Sequence, residues 1–335
     1  TAAWRPLAAR AYAEATGPRQ GPVHLDLAFR EPLVGTAGDL PRGRSDDGGV
    51  WAWRPPVQAP LDPVITIGED LAGRRGLVVA GAGSGDGSAV DAIATALGWP
   101  ILATPQAPVW SIPGATIPAA DALLRAGVRD ELCPELVLRL GGPLSWGVVG
   151  EWLAASSAAE IVVAGPGTWS DPYGTASVVL AQDPAHVLAA WSEDLAGVRP
   201  VDDGGWRQRW ERAGTAALGA IDQVLAAATA ATEPGVARAL LGALPEGANL
   251  VASSSMPIRD LEWLTVPTHP VSVHANRGAN GIDGVVSTAV GLASATAAPT
   301  GLLIGDVAFL HDCNGLLGAS ARSIDLVIVV VDNDG

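Results

Sequence analysis

Apolar residues come along this chain in two kinds of run. One is short and continuous: 76–80 (GLVVA), 101–103 (ILA), 136–140 (LVLRL), 160–164, 177–181, 249–253, 271–273, 301–304 (GLLI) and 326–331 (LVIVVV). The other is spaced at three and four residues, as in Val90, Ile93, Ala94 and Leu97, and in the stretches 147–155, 184–194 and 206–228. Strands that are apolar throughout, rather than alternating, belong to parallel sheets covered on both faces, and the spaced runs supply the covering helices. The pattern predicts an α/β fold of doubly wound parallel sheets. Thr232 reads as the N-cap of a further helix, with Pro234 admissible in its first turn and Val236, Leu240 and Leu241 on its inner side. The segment 307–325 is long enough for a helical crossover joining two parallel strands.

The rhythm divides the chain. Residues 1–35 hold a short helical stretch (6–15) and the strand-like 23–27, too little for a core of their own. Residues 36–60 turn rich in Gly, Pro, Arg and Asp, with Trp51 and Trp53 among them, and read as a surface linker. A Rossmann-like unit is expected over 61–198 and a further α/β unit over 205–335. The chain starts at Thr1, has Met256 as its one methionine and stops at Gly335 directly after a strand, so it reads as an excerpt of a longer protein.

Composition narrows the classes. With 48% hydrophobic and 16% charged residues over 335 positions, the chain is globular and large enough for more than one core. A net charge of −15 argues against a nucleic-acid surface or an anionic membrane partner. No apolar run approaches the roughly 20 residues that cross a bilayer, and the N-terminus has no signal-peptide pattern, so a cytoplasmic protein without membrane insertion is expected. Cys133 and Cys313 lack metal-type spacing. All 20 basic residues are arginines, as a GC-rich coding bias would give.

Candidate chemistry gathers late in the chain. Gly305-Asp306 follows the apolar run ending at Ile304, and Asn333-Asp334-Gly335 follows the run ending at Val331. Each has a plain reading, Asp306 as a helix cap and Asn333 to Gly335 as a tight turn. Together, at the ends of successive parallel strands, they make a set of oxygen ligands: the Asp306 carboxylate, the Asn333 side-chain oxygen and the Gly335 carbonyl. Magnesium takes such oxygens and leaves positions for a diphosphate. Ser253 to Asp260 and His274 to Gly284 follow two more strands, and Arg259 and Arg277 in them suit carboxylates; the plain alternative is ion pairing with Asp260 or Asp283. Glycines at 278, 281 and 284 suggest a backbone that approaches something closely. Among five scattered histidines only His274, beside this loop, merits attention. The glycine-rich turn 81–87 breaks the G-x-G-x-x-G spacing at Asp86, and no acidic residue ends the next strand, so it reads as a tight strand-to-helix turn.

These motifs resemble the thiamine diphosphate enzymes, marked by Gly-Asp and, after one strand–helix–strand spacing, Asn. More closely, Phe29 to Leu33, Ser255 to Asp260, Asn276 to Gly284 and Gly305 to Asp312 resemble the menaquinone-pathway family of 2-succinyl-5-enolpyruvyl-6-hydroxy-3-cyclohexene-1-carboxylate synthases. The resemblance covers the chain end to end. It implies the tail of a pyrimidine-binding domain at 1–35, a central domain at 61–198 and a truncated diphosphate-binding domain at 205–335. It implies thiamine diphosphate with Mg2+ or Mn2+ as cofactors, with Asp306, Asn333 and Gly335 on the metal, Gly305 and Ile282 on the cofactor, and Ser255, Arg259 and Arg277 on substrate. The implied reaction is decarboxylation of 2-oxoglutarate followed by conjugate addition of the succinyl-semialdehyde equivalent to isochorismate, in a homodimer or dimer-built tetramer. The glutamate that activates the cofactor is expected upstream of Thr1, and Gly147-Val148 stand where some relatives carry a basic pair. A lyase of the acetolactate synthase kind and a non-catalytic nucleotide-binding module are the alternatives; paired arginines favour dicarboxylate substrates over the first, and metal-dependent cofactor binding would exclude the second.

Overall fold

A computed structural model describes residues 4–17, 21–36, 38, 71–143, 147–165, 170–194, 205–278 and 280–333. Gly335, Leu144 and Ser145, nearly all of the expected linker and residues 61–70 lie outside them. A first sheet is built from β1 (Gly76–Ala80), β2 (Ile101–Ala103), β3 (Leu136–Leu140), β4 (Ala159–Ala164) and β5 (Val178–Ala181), in the order β2-β1-β3-β4-β5. A second sheet is built from β6 (Asn249–Ala252), β7 (Ser272–His274), β8 (Thr300–Gly305) and β9 (Leu326–Val331), in the order β7-β6-β8-β9. Every described strand pair is parallel.

Alternate residues of the continuous strands pack to opposite faces, which is why none of them needs a polar side. Val78, Ala80, Leu138, Leu140 and Val163 pack with α2 (Gly87–Leu97) and α5 (Pro184–Asp194). Leu77, Val79, Leu102 and Val137 pack with α3 (Ala120–Arg125), α4 (Gly147–Ala155) and α6 (Trp206–Ala226). The same division holds in the second sheet. Leu250, Ala252 and Leu303 meet α7 (Glu233–Ala243) and α8 (Met256–Leu264), while Val251, Leu302 and Ile304 meet α9 (Val285–Ala295) and α10 (Asp306–Asp312). Each fully buried Leu, Ile or Val in these layers stabilises the fold by about 1.5–3 kcal/mol of transfer free energy. In β3 and β4, Arg139 and Glu160 are buried as an ion pair at 2.8 Å, with Thr175 Oγ1 also donating to Glu160.

Helix α6 leads from one sheet to the other. Its first turns are held by Trp206, whose Nε1 donates to the Gly76 carbonyl at 2.7 Å, and by Trp210, edge-on to both Trp206 and Trp152. Thr232 caps α7 as expected, accepting from the Gly235 amide at 3.2 Å, with Pro234 in the first turn. Beyond the two sheets, α1 (Trp4–Ala15) matches the expected helix. Residues 23–27 form no strand: no described strand pairs with them, and Val23, Leu25 and Leu27 are exposed. The crossover after Asp306 is helical only to Asp312 and continues as two 3-10 turns, Cys313–Leu316 and Ser320–Arg322. Gly318 between them takes φ +80°, a left-handed conformation that cannot continue a helix.

Candidate functional site

In open α/β sheets the crevice lies outside the carboxyl ends of the two strands at which strand order reverses. In the second sheet those strands are β6 and β8, and a cleft of about 340 Å3 opens there. Its walls come from the turn after β6 (Ser253 to Pro257), from Gly305 to Ala308 after β8, and from Asn333 beyond β9. Ile282, Glu233 and Asp260 also line it. Parallel pairing fixes this arrangement, because Gly305 opposite Val331 brings two strand ends to one level.

Three side-chain links tie the motif loops to one another. Ser254 Oγ donates to the Asn276 carbonyl at 3.2 Å, joining the turn after β6 to the loop after β7. Asn276 pairs with Thr288 of α9 through Nδ2 at 3.1 Å and Oδ1 at 3.2 Å. Asp312, at the end of α10, accepts from both the amide and the hydroxyl of Ser287 in the first turn of α9, at 2.7 and 3.0 Å. The loop carrying Ile282 is therefore held between the Gly305-Asp306 element and the Ser253 to Asp260 element. Gly278 (φ +137°) and Gly284 (φ +69°) face open space at the Cβ position, so they serve backbone conformation rather than close approach.

Two buried polar side chains of the cleft are left without partners. Ser253 is 1% exposed and its hydroxyl has no hydrogen-bond partner. Asp260 is 2% exposed, and its Oδ1 is likewise without a partner. Burial, and secondarily the charge of Glu233, pushes the Asp260 carboxyl up to about 7. Ser255 stands at φ +73°, ψ −131°, a strained conformation for a residue with a side chain, at the start of α8. Asn333 donates from Nδ2 to Glu233 Oε1 at 3.0 Å, which leaves its Oδ1 free to accept. Buried polar atoms without partners are costly unless something else completes them.

Of the residues singled out from the sequence, the cleft gathers Ser255, Ile282, Gly305, Asp306 and Asn333. Arg259 and Arg277 are exposed and do not line it. Arg259 lies over the Trp263 ring at 5.8 Å, and among the described residues neither arginine pairs with Asp260 or Asp283. His274 sits on β7 with Nε2 3.3 Å from Asn249 Oδ1, and burial lowers its pKa below the ordinary imidazole range. Glu233 has no place among the sequence candidates, and Ser253 and Asp260 enter there only as the ends of a candidate segment. Pro257 in the first turn of α8 was the available signal for Asp260, since a helix starting at Met256 carries residues 256 and 260 on one side.

The donors suit a hard cation carrying a phosphate ester. Side chains lining the cleft offer carboxylate, carboxamide and hydroxyl oxygens, and among the described residues that line it none is an arginine, histidine or cysteine. Among the described residues no group of three or more His, Cys, Asp or Glu is placed to hold a metal unaided, so oxygens from a ligand would have to complete the coordination. The first turn of α8 adds a positive helix terminus to the same wall.

Fold and cleft thus define a doubly wound α/β protein with an oxygen-lined ligand crevice at the switch point of its second sheet. The chain is similar, nearly end to end, to curated proteins named 2-succinyl-5-enolpyruvyl-6-hydroxy-3-cyclohexene-1-carboxylate synthase. It is 39% identical to that of Rubrobacter xylanophilus (95% of this chain, 57% of the relative). It is 37% identical to that of Myxococcus xanthus (99% and 58%) and 36% identical to that of Halobacterium salinarum (97% and 58%). These matches bear out the resemblance read from the sequence. The chain spans about 58% of the length of the curated relatives it matches. No protein-family model matches it. No helix among the described residues is long and apolar enough to cross a membrane.

Proposed function

We propose that this chain is part of a thiamine diphosphate-dependent synthase of menaquinone biosynthesis. The observation that carries the reading is the cleft itself, in which Asp306, Asn333, Gly305, Ile282 and Ser255 meet at a strand-order switch point although the sequence spreads them widely. In this reading 205–335 is the diphosphate-binding domain and 61–198 the central one; 1–35 is the tail of the pyrimidine-binding domain, and 36–60 links it onward. The whole protein would decarboxylate 2-oxoglutarate and add the succinyl-semialdehyde equivalent to isochorismate, as a cytoplasmic homo-oligomer.

Asp306, Asn333 Oδ1 and the Gly335 carbonyl would hold Mg2+ or Mn2+, and the first turn of α8 with Ser253 would meet phosphate oxygens. Bound thiamine diphosphate would supply the nucleophilic carbon and electron sink for decarboxylation of a 2-oxo acid. Ile282 would support its thiamine ring from the loop that Asp312 and Asn276 hold in place. Ser255, Arg259 and Arg277 would meet substrate carboxylates, the two arginines from outside the diphosphate cleft. Two cationic forks favour dicarboxylates such as 2-oxoglutarate over the small neutral partners of an acetolactate synthase.

The test is calorimetric titration of the full-length protein with thiamine diphosphate, with and without Mg2+. Binding is expected only with the metal and is expected to be lost in Asp306→Ala, while the variant keeps the wild-type melting temperature. Equal binding by wild type and variant would remove Asp306 from the metal site.

A further inference from the structure

Glu233 is the first residue of α7 and Asn333 lies just past β9, a hundred positions apart, yet Asn333 Nδ2 donates to Glu233 Oε1 at 3.0 Å. Both line the cleft, and among the described residues Glu233 makes no ion pair. A carboxamide has one donor end and one acceptor end, whereas a carboxylate only accepts. Pairing with Glu233 therefore fixes which end of Asn333 is which. The NH2 end is turned to the carboxylate, and Oδ1 is left on the other side. Resting on the metal–diphosphate reading above, we propose that Glu233 is a positioning residue for the metal site. It locks the Asn333 carboxamide so that oxygen, and not the NH2 group, is presented to the cation.

The plainer role for an acidic residue in a helix's first turn is to complement the helix dipole, and α7 already has its side-chain cap in Thr232. The two roles separate experimentally. A dipole partner affects stability and leaves metal affinity alone; an orienting partner acts on metal affinity and does so through Asn333. Partners that orient metal ligands typically alter affinity 10–100-fold when removed.

The experiment is a double-mutant cycle in the full-length protein, with Mg2+ titrated calorimetrically at saturating thiamine diphosphate. Glu233→Ala is expected to weaken Mg2+ binding about tenfold. In the Asn333→Ala background, itself weakened, the same substitution is expected to have no further effect, because the residue acts through the missing carboxamide. Glu233→Gln, which keeps an acceptor oxygen and the helix, is expected to retain most of the affinity. Unchanged Mg2+ affinity in Glu233→Ala would overturn the proposal. So would a full loss that persists in the Asn333→Ala background, which would mean that Glu233 acts by its own charge. If wild-type protein fails to bind thiamine diphosphate in a Mg2+-dependent way, the functional reading falls and this role with it, an outcome distinct from intact wild-type binding with indifferent variants.

Discussion

The two sheets are built alike and end differently. Both are parallel, both are covered on two faces, and each has a glycine-bearing turn at its switch point, β1/β3 in the first and β6/β8 in the second. In the first sheet the described turns at the switch point are bonded to each other. The Gly142 amide donates to the Ala82 carbonyl at 2.8 Å, a Cβ on Gly81 would stand 2.1 Å from the Gly142 carbonyl oxygen, and one on Gly141 would stand 2.4 Å from that of Ala82. Asp86, which accepts from the Ala89 amide at 2.9 Å, occupies the helix terminus where an anion would sit. In the second sheet the corresponding turns stand apart, and Ser253 and Asp260 face the gap without partners. Topology gives both sheets a switch point, and hydrogen bonding between the described turns there is what distinguishes them.

The comparison can be broken by perturbing each sheet separately. The largest effect is expected from Glu160→Ala. It leaves Arg139 buried and uncompensated in the first sheet, at a cost of about 3–5 kcal/mol. Urea unfolding followed by tryptophan fluorescence, with Trp152, Trp206 and Trp210 packed beside that sheet, should show the loss, while the thiamine diphosphate binding proposed above, measured on folded protein without urea, should be unchanged. A small stability change would show that water relieves the pair.

Next is Gly141→Ala. The residue holds φ +77° and meets the Ala82 carbonyl, so a loss of about 1–3 kcal/mol is expected from backbone strain. Cofactor affinity should again be untouched. A fall in affinity would show that the first sheet's edge contributes to the site after all.

The smallest effect is expected at the open edge and carries a sign. Asp260 has its carboxyl raised to about 7 in the folded protein, above its ordinary value of 3.8. The folded state therefore holds the proton more tightly than the unfolded one. Its contribution is fully present below the ordinary carboxyl range and is lost as pH rises toward 7. Asp260→Asn keeps the uncharged shape at all pH values. Measured without cofactor at pH 8, the variant should melt above wild type by ~2–4 °C, the shift expected of about 1 kcal/mol in a large domain, and the gap should close toward pH 4. Melting curves that stay parallel across that range would show that Asp260 is ionised in the fold.

How much could be read in advance follows from how local each signal was. The strands and most helices were legible because burial on both faces writes itself as continuous apolar runs, and Thr232 with Pro234 announced α7 through bonds made within one turn. Asp306 and Asn333 can be picked out as cleft residues because each lies within two positions of the end of such a strand. Residues 23–27 misled because a strand exists only with a partner, and their apolar spacing carries no information about one. The break in the crossover is not legible because the length of 307–325 says nothing of the left-handed conformation that Gly318 takes. Arg259 beside Asp260 leaves an ion pair open as the plain alternative to carboxylate binding, yet neighbours on a helix point to different sides, and the fold sends one outward to Trp263 and buries the other.

By itself the sequence determined the class of fold, the order of its elements and the two strand ends that carry ligand-type residues, because these depend on periodicity and on residues adjacent in the chain. Only the tertiary structure decided that the turns at the first sheet's switch point bond to each other while a cleft opens at the second's. It alone decided that Asp312 and Asn276 hold the Ile282 loop, and that Glu233 meets Asn333. Those outcomes depend on hydrogen bonds between segments far apart in sequence, and no local pattern encodes which distant carbonyl or carboxylate a group will find.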